Sequence, residues 1–260
     1  LIEKHPCSLK NEKSEEDMQL KNYLRLLGVC VLSVAFMSWT INKIESAKEE
    51  KTTSEQNTLN KKHALSIKYV YDSLRLNVQG LSQEAFDYAV QGFQKLDEDG
   101  LLNNDSVLTI IDFDQPSYRK RLYVIDVKNF KVLFNTLVAH GRNTGKEIAQ
   151  FFSNTNESHK SSLGFYVTED TYSGSKGFSL KLKGLEKGIN NNAYRRAIVI
   201  HGANYVSESF INAQGYIGRS HGCPAVPVEL NKPIIQTIKN GSCLFIYNKT
   251  YRPSQDFHIG

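Results

Sequence analysis

From Val107 onward the chain breaks into short runs of aliphatic and β-branched residues, and this segmentation limits the fold more than any other feature. The runs are Val107-Leu108-Thr109-Ile110-Ile111, Leu122-Tyr123-Val124-Ile125-Asp126-Val127 and Val132-Leu133-Phe134-Asn135-Thr136-Leu137-Val138. Runs of this length suit strands, whereas a helix of equal burial needs ten or more residues at a 3.6 period. Gln115-Pro116-Ser117 and Lys128-Asn129 separate them as turns. Residues 164–168, 197–201 and 243–247 add further strands, and a short helix opening at Asn231 and Pro233 carries Ile234, Ile235 and Ile238 before Asn240-Gly241 ends it. The expected fold is α+β: mostly β and mostly antiparallel with short helices, a sandwich or barrel over 105–250.

Residues 63–104 read as a helical segment ahead of that domain. In its second helix Ser82 is the N-cap, Phe86, Ala89, Val90, Phe93 and Leu96 recur at helical spacing, and Gly100 closes the element. The aromatic stripe is core packing. Before it, residues 42–62 are rich in Lys, Glu, Ser, Thr and Asn, the composition of a solvated linker. Residues 26–41 carry no charge and follow Lys21 and Arg25, so they read as an export signal, either cleaved or kept as a membrane anchor. The run is longer than a usual signal core and shorter than the ~20 residues of a full span. A poor small-x-small pattern near residues 35–40 favours the anchor. Met18 sets Lys21 and Arg25 into a short basic lead, which marks it as the expected start and residues 1–17 as an upstream misannotation.

A net charge of +5 with a pI near 8.9 does not demand nucleic acid, and no nucleic-acid partner is expected. An anionic wall polymer or a membrane surface fits the same charge. Of four cysteines, Cys7 and Cys30 lie in or before the export run, and no disulfide framework is indicated. Cys243 sits in an apolar run as a small buried residue.

The remaining thiol lies in Gly218-Arg219-Ser220-His221-Gly222-Cys223-Pro224, and His201-Gly202 follows the strand-like Arg196-Ala197-Ile198-Val199-Ile200. Cysteine among glycines and histidines suits acyl transfer, because the thiolate is strongly nucleophilic and an imidazole can take its proton. Cys223 is the expected nucleophile and His201 the expected general base, its ring held at the end of a strand. The amides of Gly222 and Cys223 are candidates for holding an oxyanion, and Pro224 turns Cys223 away from helical geometry. His221 and Ser220 are supporting residues. Arg219 offers a guanidinium fork for a carboxylate, or is an ordinary turn residue. A zinc reading of His201, His221 and Cys223 lacks the paired spacing of a structural site, so neither metal nor other cofactor is expected. His140 and His159 are read as loop histidines without a role.

This pattern resembles the active-site sequence of the L,D-transpeptidases of bacterial peptidoglycan, the YkuD-like fold, and most closely the murein L,D-transpeptidase catalytic domain branch. The likeness also takes in Val138-Ala139-His140-Gly141-Arg142-Asn143-Thr144-Gly145, Ser161-Ser162-Leu163-Gly164-Phe165-Tyr166 and Gly184-Leu185-Glu186-Lys187-Gly188-Ile189-Asn190. The gap from His201 to Ser220 is slightly longer than usual in that family, and Pro-Ala follows Cys223 where a hydrophobic residue and Asn or Arg are common. The resemblance implies an L,D-transpeptidase-like β-sandwich or barrel. It also implies a thioester on Cys223 formed from a tetrapeptide stem, an amine of a second stem as acceptor, and a backbone carbonyl orienting His201, with Gly202 as that partner. A carboxylate such as Glu208 is the other candidate. Tyr172-Ser173-Gly174-Ser175-Lys176-Gly177 resembles a substrate-side loop, with Tyr172 as a substrate contact. The implied partners are peptidoglycan stem peptides, and the implied place is the cell envelope, periplasmic or anchored to the inner membrane facing the periplasm. Two other readings use the same residues or the same fold: an L,D-carboxypeptidase-type hydrolase that trims stems, and a non-catalytic peptidoglycan-binding module.

Overall fold

The computed structural model describes residues 68–255 and 257. Residues 1–17, the export run, the linker, Cys7 and Cys30 therefore lie outside the described residues. Among the described residues no helix is long and apolar enough to cross a membrane.

The expected runs fold as strands. These are β1 (Val107–Asp112), β2 (Leu122–Asp126), β3 (Lys131–Thr136), β4 (Gly164–Gly174), β5 (Gly177–Gly184), β6 (Val199–Gly202), β7 (Ala225–Val226) and β8 (Cys243–Tyr247). All eight form one sheet in the order β3-β2-β1-β8-β4-β5-β6-β7. Five of its pairings are antiparallel, and β1·β8 and β6·β7 are parallel. Its two edges meet: just past β3, Ala139 bridges to Ala225 of β7, with the Ala139 amide donating to the Ala225 carbonyl at 2.8 Å. The architecture is thus a nearly closed barrel-like sheet with few short helices.

Burial follows each strand's position. β1 lies between β2 and β8 and is buried at all six residues, so it reads as a mostly apolar run, broken only by Thr109 and Asp112. β5 alternates, with Leu180 and Leu182 in the core and Lys181 and Lys183 on the other face. This is where sequence reading was incomplete. The segment 172–177, whose sequence resembles a substrate-side loop, is the tip of the β4–β5 hairpin, with Tyr172, Ser173 and Gly174 inside β4. Its glycines mark a tight turn between long strands, and the strand 177–184 had not been recognised.

Among the described residues, α1 (Gln83–Glu98) and α3 (Val228–Ile238) pack on the sheet, and the short α2 (Glu208–Gln214) buries none of its residues. In α1 the Ser82 hydroxyl accepts from the Ala85 amide at 3.2 Å, and Ala85, Phe86, Ala89, Phe93 and Leu96 are buried. They pack on β1 and β8, where Phe165 stacks on Phe245 at 4.2 Å between ring centroids. Each such ring removed from water contributes roughly 1.5–3 kcal/mol. α3 begins at Val228 behind Pro227, earlier than Asn231 and Pro233 suggested. Asn231 faces inward instead of capping, and its amide donates to the Phe178 carbonyl at 2.7 Å. Pro233 sits inside the helix.

Candidate active site

β6 sets the site. Ile200 and Gly202 face α3 and the core, so His201 points to the opposite face of the sheet, where Ser179 and Ala225 are its register partners. His201 is buried, and its Nδ1–H donates to the Gly202 carbonyl at 3.0 Å. A carbonyl only accepts, so this bond places the proton on Nδ1 and leaves Nε2 with a free lone pair. The orienting group is the Gly202 backbone, and Glu208 stands exposed in α2.

Cys223 lies two residues before Ala225, the strand partner of His201, in a turn held by one side chain. The Ser220 hydroxyl donates to the Cys223 carbonyl at 2.6 Å and accepts from the Gly222 amide at 3.0 Å. Gly222 has φ +122°, and a Cβ there would come within 2.8 Å of the Lys160 carbonyl, so only glycine fits. The Gly222 N–H, expected as an oxyanion donor, is taken by Ser220. Underneath, the Ser161 hydroxyl donates to the Gly222 carbonyl at 3.1 Å and accepts from the Gly141 amide at 3.1 Å. Cys223 is half-buried, and its thiol donates to the Ala197 carbonyl at 3.6 Å. Ala197 itself holds φ +52°, a costly conformation for a residue with a Cβ.

The electrostatics leave both groups neutral near pH 7. Burial pushes the Cys223 thiol above its ordinary value, with backbone contact to Val199 and the charges of Arg196 and Lys176 acting against it. Burial also holds the His201 ring below its ordinary value; the bond to Gly202 opposes this and Lys176 reinforces it. Among the described residues, no group of three or more His, Cys, Asp or Glu side chains is placed to hold a metal.

Several residues around this turn had no role in the sequence reading. His159 stacks on His221, ring centroids 4.5 Å apart and planes within 10°. Arg196 donates to the Ser153 and Lys160 carbonyls at 2.8 and 2.6 Å, and its guanidinium lies against Gly222. His140 lies in a loop as expected, but it is fully buried. Its Nδ1 accepts from Arg121 at 2.7 Å and its Nε2–H donates to the Gly145 carbonyl at 3.2 Å. Burial and the Arg121 charge hold its pKa down to about 3. The His140 carbonyl in turn accepts from the Ser220 amide at 3.0 Å, so this buried pair underlies the cysteine turn. Arg219 is exposed and donates to the Arg142 and Gly145 carbonyls, both at 3.2 Å, which ties the same two loops together. Arginine and histidine paired across 19 residues carry no local sequence signal.

Residues 77–247 match the model of the L,D-transpeptidase catalytic domain family. No curated protein matches the chain. Similar solved structures include an L,D-transpeptidase from Mycobacterium smegmatis, at 13% identity over 55% of this chain and 59% of that one, TM-score 0.34. Another is the helical cell shape determining protein Pgp2 (K307A mutant) from Campylobacter jejuni, at 17% identity over 64% and 58%, TM-score 0.38. A third is an L,D-transpeptidase (Yku) from Stackebrandtia nassauensis, at 15% identity over 70% and 76%, TM-score 0.33. The match spans about three fifths of the length of the first two. With the family model covering most of the described sheet, the chain belongs to the L,D-transpeptidase catalytic domain family.

Proposed function

We propose that this protein is a cysteine-dependent L,D-transpeptidase that forms or remodels peptidoglycan cross-links in the cell envelope. One observation carries the proposal: the thiol and the imidazole lie on neighbouring chain segments, Cys223 two residues out of register with His201, and the imidazole keeps an unprotonated Nε2. With thiol and ring both neutral, no standing ion pair is needed. Cys223 Sγ bonds to the carbonyl carbon of the third stem residue as its proton passes to His201 Nε2. The carbon–nitrogen bond to the terminal D-alanine breaks, and His201 returns the proton to the departing amine. An amine of a second stem then attacks the thioester, gives its proton to His201 and releases the thiolate. The Cys223 N–H is the proposed oxyanion donor, since Gly222 is engaged by Ser220. His221 and Arg219 flank the turn and Tyr172 lies on the hairpin of the same sheet face, consistent with supporting and substrate contacts.

Incubation with a defined tetrapeptide stem and mass spectrometry of the intact protein tests this. The expected result is an acyl adduct on Cys223, absent in Cys223→Ala, followed by cross-linked dimers. An adduct that survives in Cys223→Ala refutes the assignment, and trimmed monomers without dimers replace the transferase with the hydrolase.

A further inference from the structure

The sheet face that carries His201 continues away from the thiol. His201, Ser179 and Tyr172 are register partners across β6, β5 and β4, so their side chains share that face, and Lys181 joins them two residues along β5. The Lys181 ammonium sits 5.9 Å from the Tyr172 ring centroid and 6.0 Å from that of Tyr194. Both rings are open to solvent, Tyr172 at 39% and Tyr194 at 60%. Beside Lys181 and Tyr194, and reached from Tyr172 across Lys181, runs a groove of about 710 Å³, lined also by Lys183, Glu169, Asp170 and Asn103. That volume falls in the range of small-molecule sites, roughly 300–1,000 Å³.

We infer that Tyr172, Lys181 and Tyr194 form a subsite for a sugar ring of the glycan chain, an inference that rests on the peptidoglycan reading above. The chemistry matches a pyranose: aromatic faces for its C–H surface, and ammonium, carboxylate and amide groups for its hydroxyl and acetamido groups. The groove carries both signs of charge, so it is not a simple anion site for a stem carboxylate. Length agrees as well. Tyr172 lies two strand spacings from His201, about 9.6 Å. Three extended residues, from the sugar linkage to the third-residue carbonyl, span about 10–11 Å. A stem whose scissile carbonyl reaches the Cys223–His201 end therefore leaves its sugar near Tyr172, whose Lys181 neighbour also meets Tyr194. Tyr194 also starts the turn whose Ala197 carbonyl holds the thiol, so the two sites share one rigid segment.

The test uses the full chain and peptide-free glycan oligosaccharides of alternating N-acetylglucosamine and N-acetylmuramic acid, titrated by calorimetry. The wild type is expected to bind, Tyr194→Ala to bind at least tenfold more weakly, and Tyr194→Phe to retain binding, all with the wild-type melting temperature. In parallel, wild-type KM for a disaccharide-linked tetrapeptide should be several-fold below that for the free tetrapeptide, with kcat unchanged. Turnover of the free peptide without glycan binding, or equal KM values, overturns the subsite and leaves the acyl-transfer reading standing. Glycan binding without turnover of either peptide overturns that reading and keeps the subsite.

Discussion

Arg121→Met tests how the site is supported from behind. The Arg121 guanidinium is fully buried without a salt-bridge partner among the described residues; burial pushes its pKa down to about 9, and it stays charged at neutral pH. It donates to the Val138 carbonyl from Nε and Nη2 at 3.1 and 3.0 Å, to the Gln115 carbonyl at 2.8 Å, and to His140 Nδ1 at 2.7 Å. Its face also packs on Phe113, 4.8 Å from the ring centroid. Methionine keeps the apolar contact and strands three acceptors, at about 1–3 kcal/mol each, or about 3–9 kcal/mol in all. Against this, the variant no longer desolvates a cation, which costs several kcal/mol, so the net loss is about 2–4 kcal/mol. For a unit of this size that is a melting-temperature drop of roughly 4–16 °C. Differential scanning fluorimetry reads it directly. Because His140 and Arg142 hold Ser220, iodoacetamide should also alkylate Cys223 faster in the variant below its melting point. A variant as stable as wild type, with unchanged alkylation, refutes the reasoning and makes the buried cation a net cost.

Gly92→Ala ordinarily stabilises a helix interior by about 1 kcal/mol. Here the new Cβ would overlap the Phe165 ring, which is locked between α1 and Phe245, so overpacking of about 1–3 kcal/mol should prevail and lower the melting temperature. Acid should destabilise the protein through His140. Its folded pKa of about 3 lies below its ordinary 6.5, so its contribution is complete above pH 6.5 and lost as pH falls toward 3, up to about 4–5 kcal/mol. Asp112 and Glu186, raised by burial, act in the opposite sense, so denaturant titrations should compare wild type with His140→Gln, which flattens the acid limb. The rate of Cys223 alkylation should reach half-maximum above the ordinary thiol pKa, and Arg196→Gln should move it higher; a midpoint that stays put removes Arg196 from the thiol's electrostatics.

Much of the fold was legible because period-2 alternation and turn residues are local signals. β8 is found at Cys243–Tyr247 as expected, and the Ser82 cap starts α1 where its hydroxyl predicts. The β4–β5 hairpin was missed because Ser and Gly at its tip look like loop, although Leu180-Lys181-Leu182-Lys183 alternates as a strand should. The start of α3 was misplaced because Asn231 resembles a cap but bonds across to Phe178.

Family, fold class and the pairing of Cys223 with His201 as candidates were set by the sequence alone, since a thiol among glycines after a strand-borne histidine is a short-range pattern. What surrounds them was decided by the tertiary structure. Closure of the sheet at Ala139–Ala225 brings loops 138–145, 153–162 and 218–223 together, which seats the Gly222 carbonyl on Ser161 and the Ser220 amide on the His140 carbonyl, while the register of β4, β5 and β6 aligns Tyr172 with His201. Those contacts join residues dozens of positions apart, and no local propensity encodes a partner at that distance.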